Sequence, residues 1–257
     1  MITLKKLLLF TLPLSIFFSC TSDSDEVTIP IAIKKKKIIE VKHDNQPFYK
    51  FTYNTTGSIS EIENYSNGIV SNVTKVEYTN GLESRRNIYN SKGTLFNYQT
   101  YTYTGKLISE RSSFSIHPST GQEVLTQVTR YTNDAGKPFN NIIGVEYYDG
   151  SGSLVSKTIV TYLDNNGSNK VEVHNAAGTK TNVTTTMRDN SIPWDKVLAP
   201  FIYQREHNII SVSNQDSAGS STTGYTVDYT YDKDRYPLTA KYSLSNGTKY
   251  TYTFTWE

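Results

Sequence analysis

The side chains best able to do chemistry in this 257-residue chain are four histidines, His43, His117, His174 and His207, and one cysteine, Cys20. A zinc site needs His and Cys ligands at short, repeated spacings, and these five stand far apart with no paired partner. The stretch "LDNNGSN" resembles the opening of a calcium loop, with Asp164 and Gly167, but lacks the acidic residue that should follow, and a hairpin turn accounts for it. No G-x-S-x-G elbow, phosphate loop or H-E-x-x-H occurs, and no pair among the many Ser, Asp and Glu residues is singled out by spacing. The residues therefore point to a chain that is not an enzyme, with no cofactor and no metal.

Cys20 has a different chemistry. It follows Lys5, Lys6 and an apolar run from Leu7 to Phe18 that is too short to cross a bilayer as a helix. As the sole cysteine it has no intramolecular disulfide partner, and it stands where a signal peptide is cut and the thiol accepts lipid. The stretch "LPLSIFFSC" resembles a lipobox of the relaxed kind found in Bacteroidota lipoproteins. The acidic "TSDSDE" behind it resembles their surface-export signal and reads equally well as a solvated tether. The expected organisation is a signal peptide over 1–19, a lipidated N-terminus and tether over 20–37, and one β domain over 38–257.

Loss of Lys5 and Lys6 with the signal takes Lys+Arg from 26 to 24, against 24 Asp+Glu. A formally neutral chain gives no electrostatic case for nucleic acid. The run Lys34–Lys37 is read as guarding a strand edge, in preference to touching anionic headgroups.

Glycine-ended turns set the rhythm of the rest. From Gly57 through Gly68, Gly81 and Gly93 to Gly105 the spacings are 11, 13, 12 and 12, a strand plus a hairpin turn each time. Between turns, Thr, Tyr, Val and Ile alternate; the closing "KYTYTFTWE" puts Tyr250, Tyr252, Phe254 and Trp256 on one face, expected to point inward, with threonines opposite. The pattern predicts an all-β fold: a twisted antiparallel meander of about 12 strands curling into an open or nearly closed barrel. A division into two sheets near residue 185 is the alternative. Residues 112–130 and 187–224 break the rhythm and are expected to be irregular. Within the second, "SIPWDKVLAPFIYQ" (191–204) suits one short helix that plugs an end of the barrel.

"YDGSGSLVSKT" is similar to the YD-repeat unit, with "YNSKGTL", "YNTTGSI" and "YTGKL" as weaker copies. Together with "RDNSIPWDKVLAPF", "EHNIISVS" and the C-terminal strands, these resemble a Bacteroidota lipoprotein family of unknown function, porin-like in fold. The resemblance implies a cell-envelope protein held at the outer membrane, on either side of it, by lipid on Cys20. A membrane-spanning barrel is disfavoured, because few segments offer the apolar outward band that lipid requires. The expected activity is binding of a glycan or an envelope protein; exposed rings among the 20 tyrosines would stack on sugar, although strand propensity accounts for that number more simply. The alternatives are a periplasm-facing carrier of an apolar ligand and an assembly factor of the outer membrane.

Overall fold

The computed structural model describes residues 36–134, 136, 142–197 and 207–257. Cys20, the acidic tether, Lys34, Lys35 and residues 198–204 of the expected helix lie outside the described residues.

The first eight strands are β1 (Ile38–His43), β2 (Gln46–Tyr53), β3 (Ile59–Ser66), β4 (Ile69–Thr79), β5 (Leu82–Asn90), β6 (Leu95–Thr104), β7 (Leu107–Ile116) and β8 (Glu123–Asn133). The second eight are β9 (Ile142–Asp149), β10 (Leu154–Tyr162), β11 (Asn169–Asn175), β12 (Lys180–Arg188), β13 (Ile209–Asp216), β14 (Ser221–Tyr231), β15 (Pro237–Leu244) and β16 (Lys249–Trp256). Each pairs antiparallel with its sequence neighbours, and β1 pairs with β16, so the sheet closes into a barrel. Closure rules out the two-sheet alternative, since β12 runs unbroken through residue 185.

The strand count exceeds the expected 12 because turns without glycine, or inside the supposedly irregular stretches, are ordinary hairpins too. Asp44 and Asn45 take φ of 46° and 67° between β1 and β2, and Arg235 takes 67° between β14 and β15. Residues 112–130, expected to be irregular, form β7, β8 and a tight turn in which His117 N donates to Gln122 O at 2.9 Å. A second turn type recurs as "NTTGS", "NSKGT", "DGSGS" and "DSAGS": the Asn or Asp carboxamide or carboxylate oxygen accepts from backbone N–H groups two and four residues on. In "DGSGS" the second glycine, Gly152, takes φ of 86° and so completes a turn that a side chain would strain.

All odd strands run one way, so the barrel has two distinct ends. At the end reached by Tyr53, Tyr78 and Trp256, here the base, hairpins are tied across by side chains. Tyr53 donates to Ile38 O (2.8 Å), Tyr78 to Ile59 O (2.9 Å), Tyr103 to Glu83 O (2.8 Å) and Tyr162 to Ile142 O (3.1 Å). Asn133 Nδ2 and Trp256 Nε1 do the same to Ile108 O and Pro237 O, both at 2.7 Å. Bulges at Thr52/Tyr53, Glu77/Tyr78 and Thr102/Tyr103 re-aim the ring for this bond. Each tie joins an even strand to the odd strand before it, at the end their own hairpin leaves open. Tyr78→Phe is expected to lower stability by about 1 kcal/mol, as one hydrogen bond warrants, and Tyr78→Phe with Tyr162→Phe by about twice that; urea midpoints check both.

Register assigns the two faces. Val41, Phe51, Ile62, Val76, Val227, Ala240 and Phe254 follow one another around the sheet on one face and are buried. That face is the interior, and it includes the aromatic side of β16, as expected. The other face carries opposed charges across strands: Lys50 against Glu63, Glu61 against Lys75, Glu77 against Arg85, Glu110 against Arg130, Glu146 against Lys157 and Asp228 against Lys241. Such a surface suits water and would be costly in hydrocarbon. A closed barrel has no edge for lysines to guard, so for Lys36 and Lys37 that reading is corrected. Lys36 Nζ instead pairs with Asp232 at 2.5 Å and Asp234 at 3.1 Å, and Lys37 lies over the Tyr53 ring at 5.1 Å.

Candidate functional site

Burial divides the interior by height. Toward the base, Ile38, Ile108, Thr129, Val145 and Phe254 are buried. Toward the opposite end, the mouth, the interior residues Asn64, Asn72, Asn97, Ser113, Gln127, Asn182 and Asn214 are partly exposed. Asn64 Nδ2 donates to Asn72 Oδ1 at 2.7 Å, and Thr184 to Asn214 Oδ1 at 2.7 Å. The lower half is packed, and the upper half presents amides and hydroxyls to solvent.

Within the described part of 191–204, the expected helix is a 3₁₀ turn, Trp194–Val197, whose indole enters the barrel core. Trp194 N donates to Asn208 Oδ1 (3.2 Å), and Asn208 Nδ2 donates to Ile192 O (2.9 Å), which anchors the turn to the start of β13. The indole lies 5.1 Å from Phe254 and 5.8 Å from Tyr252, both interior residues of β16.

One wall of the upper interior, formed by β14 to β16 with β1 and β2, is aromatic. Tyr242 stacks on Tyr250 at 4.8 Å and 13°, and Tyr225 lies 5.4 Å from Tyr242. Tyr252 meets Tyr250 and Tyr242 edge-on, His43 sits 5.0 Å from Tyr250, and Phe48 closes the group 5.5 Å from Tyr252. The strands force this grouping, since register places Tyr242 opposite Tyr250 and His43 opposite Tyr252.

The facing wall, on β5 to β8, is polar and charged. Arg86 Nε and Nη2 both reach Glu83, the second at 3.1 Å to Oε2, and Glu83 is 3% exposed. Burial pushes the Glu83 carboxyl up, with Arg86 pulling it back. Tyr101 donates to Gln99 Oε1 at 2.7 Å, and Arg111 Nη2 to Thr129 Oγ1 at 3.2 Å.

Burial also pushes the hydroxyls of Tyr53, Tyr78 and Tyr252 up to about 12, and those of Tyr101, Tyr229 and Tyr242 higher still. An unfolded tyrosine ionises near pH 10, so the folded barrel holds these protons more tightly. Their contribution is fully present below pH 10 and is lost as pH rises toward 12, because the unfolded chain ionises first. Urea midpoints should therefore fall steadily between pH 10 and pH 11.5, and Tyr53→Phe should make that fall shallower.

The histidines remain dispersed. His43 joins the aromatic wall, while His117 belongs to the β7–β8 turn with Ser119 Oγ 3.1 Å from its Nδ1. His174 Nε2 lies 3.8 Å from Glu172, and His207 O accepts from Arg188 at 2.8 Å. Asp164 sits in a hairpin turn, its Oδ1 accepting from Ser168 N at 3.0 Å. Among the described residues no three His, Cys, Asp or Glu side chains are close enough together to hold a metal ion. Sequence reasoning missed the Glu83–Arg86 pair; the available signal was "ESRR", which places charge on both faces of one strand.

Fold and site together define a water-compatible, sixteen-stranded closed barrel with a packed base and an aromatic and amide-lined mouth. The chain is similar to a porin-like protein from Bacteroides uniformis ATCC 8492, with a TM-score of 0.56 at 16% identity over 86% of this chain and 97% of that one. It is also similar to a porin-like protein from Bacteroides vulgatus ATCC 8482, with a TM-score of 0.54 at 12% identity over 86% and 98%. At these identities the likeness concerns the fold. No family model and no curated protein matches the chain.

Proposed function

We propose that this chain is a non-enzymatic envelope protein that binds a carbohydrate in the mouth of its barrel and is held to a membrane by lipid on Cys20. The observation that carries the reading is the Tyr242–Tyr250 stack beside His43, set on an interior face otherwise rich in asparagine. Sugars present flat C–H faces to aromatic rings and hydroxyls to amides, and this lining offers both. An envelope location draws support from the fold shared with porin-like Bacteroides proteins, and the charged outer face favours a barrel tethered at the membrane over one inserted in it. A carrier of an apolar ligand fits less well, because the dry part of the interior is filled by Trp194, Phe254 and their neighbours.

Titration of the detergent-solubilised chain with a panel of oligosaccharides tests the proposal. At least one should bind, and Tyr250→Ala should weaken it about tenfold, in keeping with the loss of one stacking ring. Tyr89→Ala, on the outer face beside Lys75, should leave binding unchanged. Binding by none of the panel, or equal loss from both variants, would overturn the reading.

A further inference from the structure

The polar wall holds two guanidinium groups and one carboxylate. Glu83 accepts from Arg86 on both of its oxygens. Arg111 stands on β7 between Tyr101 of β6 and Thr129 of β8, and its one side-chain hydrogen bond among the described residues runs from Nη2 to Thr129. Its Nε is buried and has no hydrogen-bond partner among the described residues. Arginine remains charged at any physiological pH, so this buried donor is an unmet demand for an acceptor, and an acceptor bearing negative charge meets it best. A carboxylate has the matching geometry, two oxygens for the Nε and Nη edge of a guanidinium.

The position of Arg111 says what the carboxylate would belong to. One step toward the mouth on the same face stands Ser113, flanked by Gln99 and Gln127 at register positions, all three half-exposed. Hydroxyl and amide groups directly above a cation, with the Tyr242–Tyr250 stack on the other wall, suit a ring that carries both hydroxyls and an acid. We infer that Arg111 is the floor of a subsite for the carboxylate of an acidic sugar, a uronic acid residue in a saccharide, with Ser113, Gln99 and Gln127 facing its hydroxyls. The inference rests on the carbohydrate-binding reading and narrows its ligand class.

Calorimetric titration of the full chain in detergent with an oligogalacturonate, and with the same oligomer methyl-esterified to remove its charge, separates the two. The acidic oligomer should bind at least tenfold tighter, and Arg111→Gln should abolish that preference. Arg111→Lys keeps the charge without the fork and should retain part of the preference; it also serves if the Gln variant fails to fold. Equal affinity of the native chain for acid and ester, or a preference that survives Arg111→Gln, would overturn the subsite and leave sugar binding standing. Failure of both oligomers and of every neutral saccharide would overturn both.

Discussion

Trp194→Ala is expected to cost the barrel about 3–5 kcal/mol, the range for deleting a large buried aromatic. The indole is 9% exposed and belongs to the cluster that joins Val41, Phe51 and Ile62 to Val227, Ala240 and Phe254, so its removal opens a hole among residues contributed by strands on both sides of the β1–β16 seam. Collapse into that hole is resisted from below. Asp189 Oδ1 accepts from Ser191 N at 2.8 Å and Asn208 N at 3.0 Å, and Tyr231 donates to its other oxygen, which holds the turn in place whether or not the ring is there. For a domain of this size the loss should lower Tm by roughly 10 °C. Differential scanning calorimetry decides it: a shift below 3 °C would mean the indole is not part of the packed base. Trp194→Phe, which keeps most of the apolar volume, should lose much less.

Glu83→Leu should cost about as much, 3–5 kcal/mol, because it strands Arg86 in the interior without its carboxylate. The diagnostic variant is the double one. Glu83→Leu with Arg86→Met removes both charges at similar volume, and should recover most or all of the loss, since a buried ion pair repays little more than its own desolvation. Burial pushes the Glu83 carboxyl up even with Arg86 beside it, in keeping with a desolvation cost on the carboxylate. Urea unfolding of the native chain, the single variant and the double variant completes the cycle. A double variant no more stable than the single one would show that the contribution of Glu83 lies in something other than Arg86.

Much of this architecture was legible in the residues. The strand-and-turn rhythm is local chemistry, with Asn, Asp and Gly where φ must be positive and alternating Thr, Tyr and Val between, so an all-β hairpin meander followed directly. The inward side of "KYTYTFTWE" followed from alternation alone. What failed was the counting, because Asp44–Asn45 and Arg235 take positive φ without glycine and the turns at Gly121 and Gly219 lay in stretches set aside as irregular. Closure was beyond reach, since the pairing of Ile38 with Trp256 leaves no mark on either strand alone. The site was less legible than the fold. His43, Tyr242 and Tyr250 come together only through the registers of β1, β15 and β16, and although "ESRR" puts charge on both faces of β5, nothing in the sequence marks Arg111. A tyrosine whose hydroxyl caps a carbonyl across a hairpin cannot be told from one chosen for strand propensity until the bulge beside it is seen.

At the seam, Lys37 N donates to Glu257 O and Glu257 N to Lys37 O, both at 2.9 Å. Every other strand pairing joins neighbours in the chain. Loop-closure entropy is therefore paid in small, similar instalments as hairpin follows hairpin, and one large one is left for the encounter of β1 with β16. The fifteen sequential pairings belong to the fast, local regime, so the meeting of β1 with β16, the one long-range pairing, is expected to be the slow step in reaching the native state.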